Sequence, residues 1–178
     1  NYNNVSKNKS LIKKTDVICA ANAICHVPNL KDLIKSVDLL LSEKGIFVFE
    51  EPYLGSMYKK KSYDQIYDEH IFIFSVSSIK KIFNLFNFEL INAIPQKTHG
   101  GSMRYVVARK GYYKINNKVN RILSKEKKSN ISNFKGCIKF KKDCEKSKKD
   151  LISSLKRLKK KGKKIAGYAA TSKSTTVL

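Results

Sequence analysis

The sequence DVICAANAICHVPNLKDLIKSVDLLLSEKGIFVFEE occupies residues 16–51 and decides the fold class of this 178-residue chain. Residues 16–21 form a short, largely apolar run, which is typical of a buried parallel strand. Residues 30–41 repeat apolar side chains at helical spacing, and Lys44-Gly45 follows as a helix stop. Residues 46–49 are a second apolar run. The order strand, helix, strand predicts an α/β fold with a parallel sheet.

The pattern continues downstream with one more helix and two strands. Residues 75–86 place apolar side chains on one helical face, with Ser75 at the start as an N-cap. Residues 88–94 and 103–108 are predicted as strands, and the loop between them permits an antiparallel hairpin. The whole predicts a doubly wound sheet. In such sheets, ligands bind beyond the carboxyl ends of the strands.

One segment combines several groups capable of acid–base chemistry. Residues 62–75 read SYDQIYDEHIFIFS and include Tyr67, Glu69 and His70, and His70 is one of only three histidines in the chain. A histidine beside a carboxylate is a common arrangement for a general base. The alternative is a polar loop that leads into a buried strand at residues 71–74.

The chain changes character after Lys114. Residues 115–161 are rich in lysine with widely spaced apolar residues, which predicts two helices with a break near residues 129–136. Residues 163–168 (KKIAGY) are predicted as a strand that enters a turn of small residues at 169–176. Strand, glycine turn and helix start form the layout of an anion-binding site, although an ordinary loop has the same sequence pattern.

The strong positive charge predicts a solvated lysine surface. The chain holds 37 Lys and Arg against 14 Asp and Glu, a net charge of +23. Only four of the positive residues are arginines, and specific nucleic-acid readers rely on arginine. We therefore expect no specific nucleic-acid partner. A lysine-driven nucleic-acid-binding module remains an alternative, with strongly salt-dependent affinity.

The cysteines and the apolar runs bear on the cellular compartment. None of Cys19, Cys25, Cys137 and Cys144 forms a C-x-x-C pair, so we predict no metal site and free thiols in a reducing compartment. No apolar run has the length of a membrane span, and there is no signal peptide. The expectation is a cytoplasmic, monomeric protein. Because the chain begins with Asn1, we also expect it to be an internal piece of a longer protein.

Five blocks of sequence together resemble the sugar C-methyltransferases. They are AANAICHVPNL, FVFEEPYLGSM, SYDQIYDEHIFIFS, THGGSMRY and GYAATSKSTTVL, in this order. The resemblance implies a methyltransferase that uses S-adenosylmethionine and a nucleotide-linked keto-sugar. It also implies that residues 1–110 are the second half of a Rossmann-like class I methyltransferase domain. Residues 111–178 would then be the start of a C-terminal α/β domain that binds the sugar nucleotide.

The same resemblance implies what this chain lacks. The family's zinc is expected only in an N-terminal domain that precedes these residues. The glycine-rich turn that cradles the cofactor has no counterpart, because no two glycines are spaced as G-x-G. Ala169 stands where the family often has a second glycine. We therefore expect this stretch alone to bind cofactor poorly and to be inactive.

The resemblance assigns catalytic roles to four residues. Methylation of a carbon beside a ketone requires loss of a proton, and an unaided histidine of pKa about 6.5 is too weak a base for that carbon. The site must also stabilise the enolate oxygen. His70 would be the base, Glu69 would orient or polarise it, and Tyr67 would donate a hydrogen bond to the sugar oxygen. His26 matches a family active-site histidine, although it could instead cap the loop before Pro28.

Further residues are assigned to the ligands. Ala21 and Asn22 would lie on the cofactor side, although Asn22 could equally shape the loop by a hydrogen bond. The residues expected to contact the sugar nucleotide are Tyr53, His99, Gly100, Gly101, Ser102, Tyr168, Thr171 and Lys173. For His99 a plain hairpin turn is an equal alternative, and for Thr171 and Lys173 an ordinary loop. An O- or N-methyltransferase on the same sheet is the main enzymatic alternative.

Overall fold

The computed structural model describes residues 2–7, 9–168 and 173–174. The strands in this part are β1 (Thr15–Ala21), β2 (Leu41–Pro52), β3 (Phe88–Gln96) and β4 (Ser102–Arg109). The helices are α1 (Tyr2–Ser6), α2 (Leu30–Leu40), α3 (Leu54–Lys60), α4 (Val76–Asn84), α5 (Asn117–Lys128) and α6 (Phe134–Lys160). Short 3₁₀ turns cover Ile24–His26, Tyr63–Gln65 and Thr98–Gly100.

The four strands form one mixed sheet in the order β1-β2-β4-β3. β1 and β2 are parallel, and β4 runs antiparallel to both of its neighbours. The α/β class, the parallel pair and the antiparallel hairpin predicted from the sequence are confirmed. The hairpin does not simply extend the sheet, because its second strand lies between β2 and β3.

The core packs α4 against the aromatic face of the sheet. Phe49 stacks on Tyr105 and on Phe83, with ring centroids 5.1 and 5.5 Å away. The Ser75 hydroxyl accepts a hydrogen bond from the Ser78 backbone N–H at 3.0 Å, so the predicted N-cap is present. This cap fixes the point at which residues 62–75 enter the helix.

Two details of the first strand–helix–strand unit differ from the prediction. Leu41 begins β2 instead of closing α2, and Gly45 lies within that strand. A Cβ atom on Gly45 would lie 2.8 Å from the carbonyl oxygen of Thr15, so glycine there permits the close approach of β1. β1 is less buried than predicted, with Val17 51% exposed, because it is the edge strand of the described sheet.

The two helices predicted after Lys114 are confirmed as α5 and α6. Val119 of α5 is buried in the same core as the sheet. The domain boundary at residue 110 stays a prediction. The strand predicted at residues 163–168 is wrong, because these residues are exposed and form no regular structure. A strand needs a neighbour for its backbone N–H and C=O groups, and the described sheet contains none for them.

None of the helices in the described ranges combines the length and the apolar character needed to cross a membrane.

Candidate functional site

The segment 62–75 lies at the carboxyl ends of β1 and β2. The Phe72 N–H donates to the Cys25 carbonyl at 3.2 Å, and Phe74 forms a single parallel bridge with Tyr53. The Leu54 N–H also donates to the Phe74 carbonyl at 2.8 Å. These contacts hold the segment against the turn after β1 and the end of β2. The alternative of a buried strand at residues 71–74 is wrong, since Phe74 makes only this bridge and Ile71 is 48% exposed.

The structure brings His26 and His70 together from distant parts of the sequence. Their ring centroids are 5.1 Å apart, with the planes tilted by 49°. The Nδ1 atom of His26 lies 2.6 Å from the Glu69 carbonyl oxygen, so the predicted active-site histidine contacts the acid–base segment directly. The catalytic role of His26 and the alternative of a cap for the loop before Pro28 both stay predictions.

The environment of His70 leaves one ring nitrogen available as a base. Its Nδ1 atom lies 2.8 Å from the Gln65 carbonyl oxygen. Because a carbonyl oxygen only accepts, Nδ1 carries the hydrogen and Nε2 of the neutral ring keeps its lone pair. Partial burial lowers the pKa of His70 below its ordinary value of 6.5, and the nearby Lys173 adds to this, while the Gln65 contact opposes it. His70 is thus mainly neutral at pH 7.

Tyr67 packs beside His70 and stays protonated. The two ring centroids are 4.4 Å apart. Desolvation raises the pKa of the Tyr67 phenol, and the Glu69 carboxylate is the next largest cause. The Glu69 carboxylate therefore acts on Tyr67, whereas the contact that orients His70 comes from the Gln65 carbonyl. Tyr67 therefore keeps its phenolic hydrogen at neutral pH.

Lys173 reaches the same group of residues from the far end of the chain. Its Nζ atom lies 5.7 Å from the centroid of the Tyr67 ring and donates to Oε1 of Gln65 at 3.2 Å. An ammonium over a phenol ring is a favourable cation–π contact. The structure therefore brings Lys173, one of the residues expected to contact the sugar nucleotide, beside Tyr67 and next to Gln65, whose carbonyl contacts His70. Thr171 lies outside the described residues.

Glu51 is a buried carboxylate that supports the site and that the sequence did not single out. Its Oε1 atom accepts from the backbone N–H groups of Ala23 and Ile24 at 3.0 and 2.7 Å. These bonds fix the turn that carries Cys25 and His26. The adjacent Glu50 and Glu51 could have indicated this. Because successive side chains of a strand point to opposite faces of the sheet, one carboxylate of such a pair faces the interior.

Glu50 organises a second polar group around Ser102. Its Oε1 atom accepts hydrogen bonds from the hydroxyls of Thr98 and Ser102, both at 2.6 Å. Arg104 contacts the other carboxylate oxygen at 3.1 Å. The hydrogen bond from the Ser102 hydroxyl, and next that from the Thr98 hydroxyl, lower the pKa of the Glu50 carboxyl group. Ser102 is buried and committed to this carboxylate, so the structure gives it a supporting position.

His99, Gly100 and Gly101 form the tight turn before β4 and line a small recess with Gln65. Gly100 and Gly101 have φ values of +77° and +121°, which favour glycine. His99 is exposed with φ +47°, so the predicted turn is present. Because Gln65 also contacts His70 and Lys173, the turn borders the candidate site.

Tyr53 also lines the recess of Gln65 and His99, and the other remaining predicted residues lie outside this group. The Tyr53 hydroxyl donates to Glu126 at 2.9 Å, and its ring lines a cavity of about 620 Å³ between α3, α5 and α6. Tyr168 is fully exposed. Ala21 ends β1, and Asn22 follows with φ +49° and donates its N–H to the Glu50 carbonyl at 2.8 Å. The loop-shaping alternative for Asn22 is therefore present in the structure.

Comparison with known families matches both halves of the chain. A methyltransferase domain model matches residues 3–93, and a model described as the C-methyltransferase C-terminal domain matches residues 97–178. The chain belongs to the C-methyltransferase family. The mixed sheet agrees with the Rossmann-like fold of this family, which confirms the fold class predicted from the sequence.

A curated relative of this C-methyltransferase-family chain is C-methyltransferase NovU of Streptomyces niveus. The two are 24% identical over 163 residues, which cover 91% of this chain and 39% of NovU. The chain thus spans about two fifths of the length of that relative. Its matched region includes the described site, from the turn after β1 to β4.

Membership of this methyltransferase family implies the cofactor S-adenosylmethionine. The described residues at the carboxyl end of β1 fit one edge of a binding site for it. Ala21 is exposed at the carboxyl end of β1, and Asn22 is half-buried beside it. The left-handed backbone of Asn22 turns the chain away from the strand and leaves that end open. The sequence contains no G-x-G turn. The assignment of Ala21 and Asn22 to the cofactor side stays a prediction.

Proposed function

We propose that this chain forms the proton-abstracting half of a C-methyltransferase that acts on a nucleotide-linked keto-sugar. The observation that carries the proposal is the free Nε2 lone pair of His70 beside the Tyr67 phenol. The Nδ1–H of His70 is tied to the Gln65 carbonyl at 2.8 Å, which fixes the tautomer. A neutral, oriented imidazole next to a phenol is the pair needed for enolate formation.

Each residue has a separate task in this proposal. His70 removes the proton from the carbon beside the ketone, and Tyr67 donates to the oxygen that gains negative charge. Lys173 adds positive charge next to the phenol, 5.7 Å from the ring centroid, which favours an anionic substrate and the enolate. Bound S-adenosylmethionine would supply the electrophilic methyl group, with Ala21 and Asn22 on its side of the site.

His26 supports the base through its position. It lies against the His70 ring, and its positive charge would lower the pKa of His70 further if it became protonated. Glu69 contributes its backbone carbonyl to His26 at 2.6 Å and its carboxylate to the environment of Tyr67. The sugar nucleotide would then extend toward the turn of His99, Gly100 and Gly101.

Replacement of His70 tests the proposal in the intact enzyme. We expect His70→Asn to slow solvent deuterium exchange at the carbon beside the ketone by at least about 100-fold, the usual contribution of a general base. Glu145→Gln changes an exposed side chain on α6, away from the candidate site, and is the control; it should exchange within about twofold of the original protein. Mass spectrometry of a nucleotide-linked keto-sugar incubated in D₂O measures the exchange.

Two results would contradict the proposal. Exchange and methyl transfer that persist near the original rates in His70→Asn would exclude His70 as the base. A product with a new O–CH₃ or N–CH₃ group, detected by NMR, would favour the alternative of an O- or N-methyltransferase, which needs no enolate.

A further inference from the structure

Three side chains with metal-binding atoms converge at the end of β1. The Sγ atom of Cys25 and one ring nitrogen each of His26 and His70 lie within 4.8 Å of one another. Thiolate and imidazole are the ligands that zinc and related divalent cations prefer in proteins. The sequence spacing predicts no metal site here, since His70 is 45 and 44 residues away from its two partners.

Both imidazoles are held in a tautomer that leaves Nε2 with a lone pair for a metal ion. Nδ1 of His26 faces the Glu69 carbonyl at 2.6 Å, and Nδ1 of His70 faces the Gln65 carbonyl at 2.8 Å. Each Nδ1 therefore donates, and each Nε2 keeps a lone pair. Histidines that bind metal ions usually donate their second ring N–H to a carbonyl or carboxylate in this way.

A buried carboxylate beside the cysteine provides independent support. Glu51 is fully buried, and in the part of the chain that the structure describes its Oε2 atom has no hydrogen-bond partner. A buried carboxylate oxygen without a donor is costly, so its presence requires compensation. The Oε1 atom of Glu51 accepts hydrogen bonds from the N–H groups of Ala23 and Ile24, which places the carboxylate beside the turn that carries Cys25.

We propose that Cys25, His26 and His70 bind one zinc-type divalent cation, and that the Glu51 carboxylate supplies compensating negative charge. Binding breaks the Cys25 S–H bond, releases that proton to solvent and forms a sulfur–metal bond without any redox change. Three protein ligands leave one position for water, as in open zinc sites. The two positive charges of the ion then balance the Cys25 thiolate and the buried Glu51 carboxylate.

The site has a consequence for the reaction. A metal ion on Nε2 of His70 uses the lone pair with which the base would take a proton. Zinc-type ions would therefore inhibit deuterium exchange, and this consequence alone rests on the proposed function. The binding itself requires neither substrate nor methyl donor.

Titration of the metal-free 178-residue chain with Co²⁺ tests the binding directly. We expect one equivalent to bind and to give a thiolate-to-cobalt charge-transfer absorption band that added Zn²⁺ removes. Cys25→Ser should abolish the band. His26→Gln and His70→Asn should each weaken binding at least about 100-fold, since loss of a mere supporting contact already costs 10–100-fold.

Matched controls lie close by in the same protein. Cys19→Ser changes an exposed thiol on β1, and His99→Asn changes the remaining histidine, so both should bind Co²⁺ within about twofold of the original chain. Circular dichroism shows whether Cys25→Ser still folds; if it does not, His26→Gln and His70→Asn, both at half-buried positions, decide the matter.

The proposal is overturned if the original chain gives no thiolate band, or if the band survives in folded Cys25→Ser or is lost equally in Cys19→Ser. It is likewise overturned if both histidine variants bind as tightly as the original. None of these results depends on His70 being the catalytic base, so the two proposals fail independently.

Discussion

Removal of the Glu126 carboxylate should destabilise the fold more than almost any other change of a charged side chain. Glu126 is 2% exposed and accepts three hydrogen bonds. The donors are the backbone N–H groups of Val76 and Ser77, at 2.7 and 2.9 Å, and the Tyr53 hydroxyl at 2.9 Å. The two N–H groups begin α4, where no carbonyl of the helix itself can accept from them.

The expected magnitude follows from the donors that are left behind. Each buried donor without an acceptor costs about 1–3 kcal/mol, so Glu126→Ala should lower the free energy of unfolding by at least about 3 kcal/mol. With a urea slope of about 2 kcal/mol/M, the midpoint should fall by about 1.5 M. Tyr53→Phe removes only one of the bonds and should cost about 1 kcal/mol.

Urea unfolding followed by circular dichroism measures these differences. Glu145→Ala is the matched control, because Glu145 is an exposed glutamate on α6 and its loss should change the free energy of unfolding by less than about 0.5 kcal/mol. If the free energy of unfolding of Glu126→Ala lies within about 1 kcal/mol of that control, the carboxylate does not hold α4 and the expected loss of at least about 3 kcal/mol is refuted.

Two further predictions concern the candidate site. Because burial lowers the pKa of His70, its imidazole should titrate below pH 6.5 in NMR spectra, and a His70 midpoint above 7 would contradict this. As the pH falls from 6.5 toward the folded pKa, the unfolded state takes up a proton that the folded state does not, so the free energy of unfolding should decrease. Gly101→Ala should lower the free energy of unfolding by about 1–3 kcal/mol, since φ is +121° and the new Cβ would lie 2.5 Å from the Ser56 hydroxyl oxygen. In the same urea assay Gly167→Ala is the control and should be neutral, because its new Cβ would meet no atom of the described residues within 4 Å.

The spacing of apolar residues in the sequence predicts much of the fold. α2 and α4 each present one apolar face, and the runs in β1 and β2 are strong enough to identify both strands. The short helix α3 was missed, because its N-cap residue Tyr53 makes no side-chain capping bond and its seven residues show too little pattern. The position of β4 was also hidden, since chain order alone does not say which edges of a sheet pair.

The candidate site was partly visible in the same way. Tyr67, Glu69 and His70 stand together in the sequence, and their side-chain types indicate acid–base chemistry. The orienting contact of His70 was not readable, because it comes from the backbone carbonyl of Gln65, which every residue type possesses. The approach of Lys173 and His26 to this segment depends on the fold, and no local pattern encodes such long-range proximity.

The central place of β4 has a consequence for how the protein is made. Among the residues that the structure describes, β4 is the last strand in chain order, yet it supplies ladder partners to both β2 and β3. While the ribosome has released only residues before 102, both of those strands present unpaired edges, which favour association with other chains. Because contacts that are close in sequence form faster, we expect the eight residues of β4 to pair first with the adjacent β3 and afterwards with β2, from which its partners are separated by 50 residues (Pro52 and Ser102) to 62 residues (Ile46 and Ala108). Newly synthesised protein is therefore most prone to aggregate just before this strand emerges.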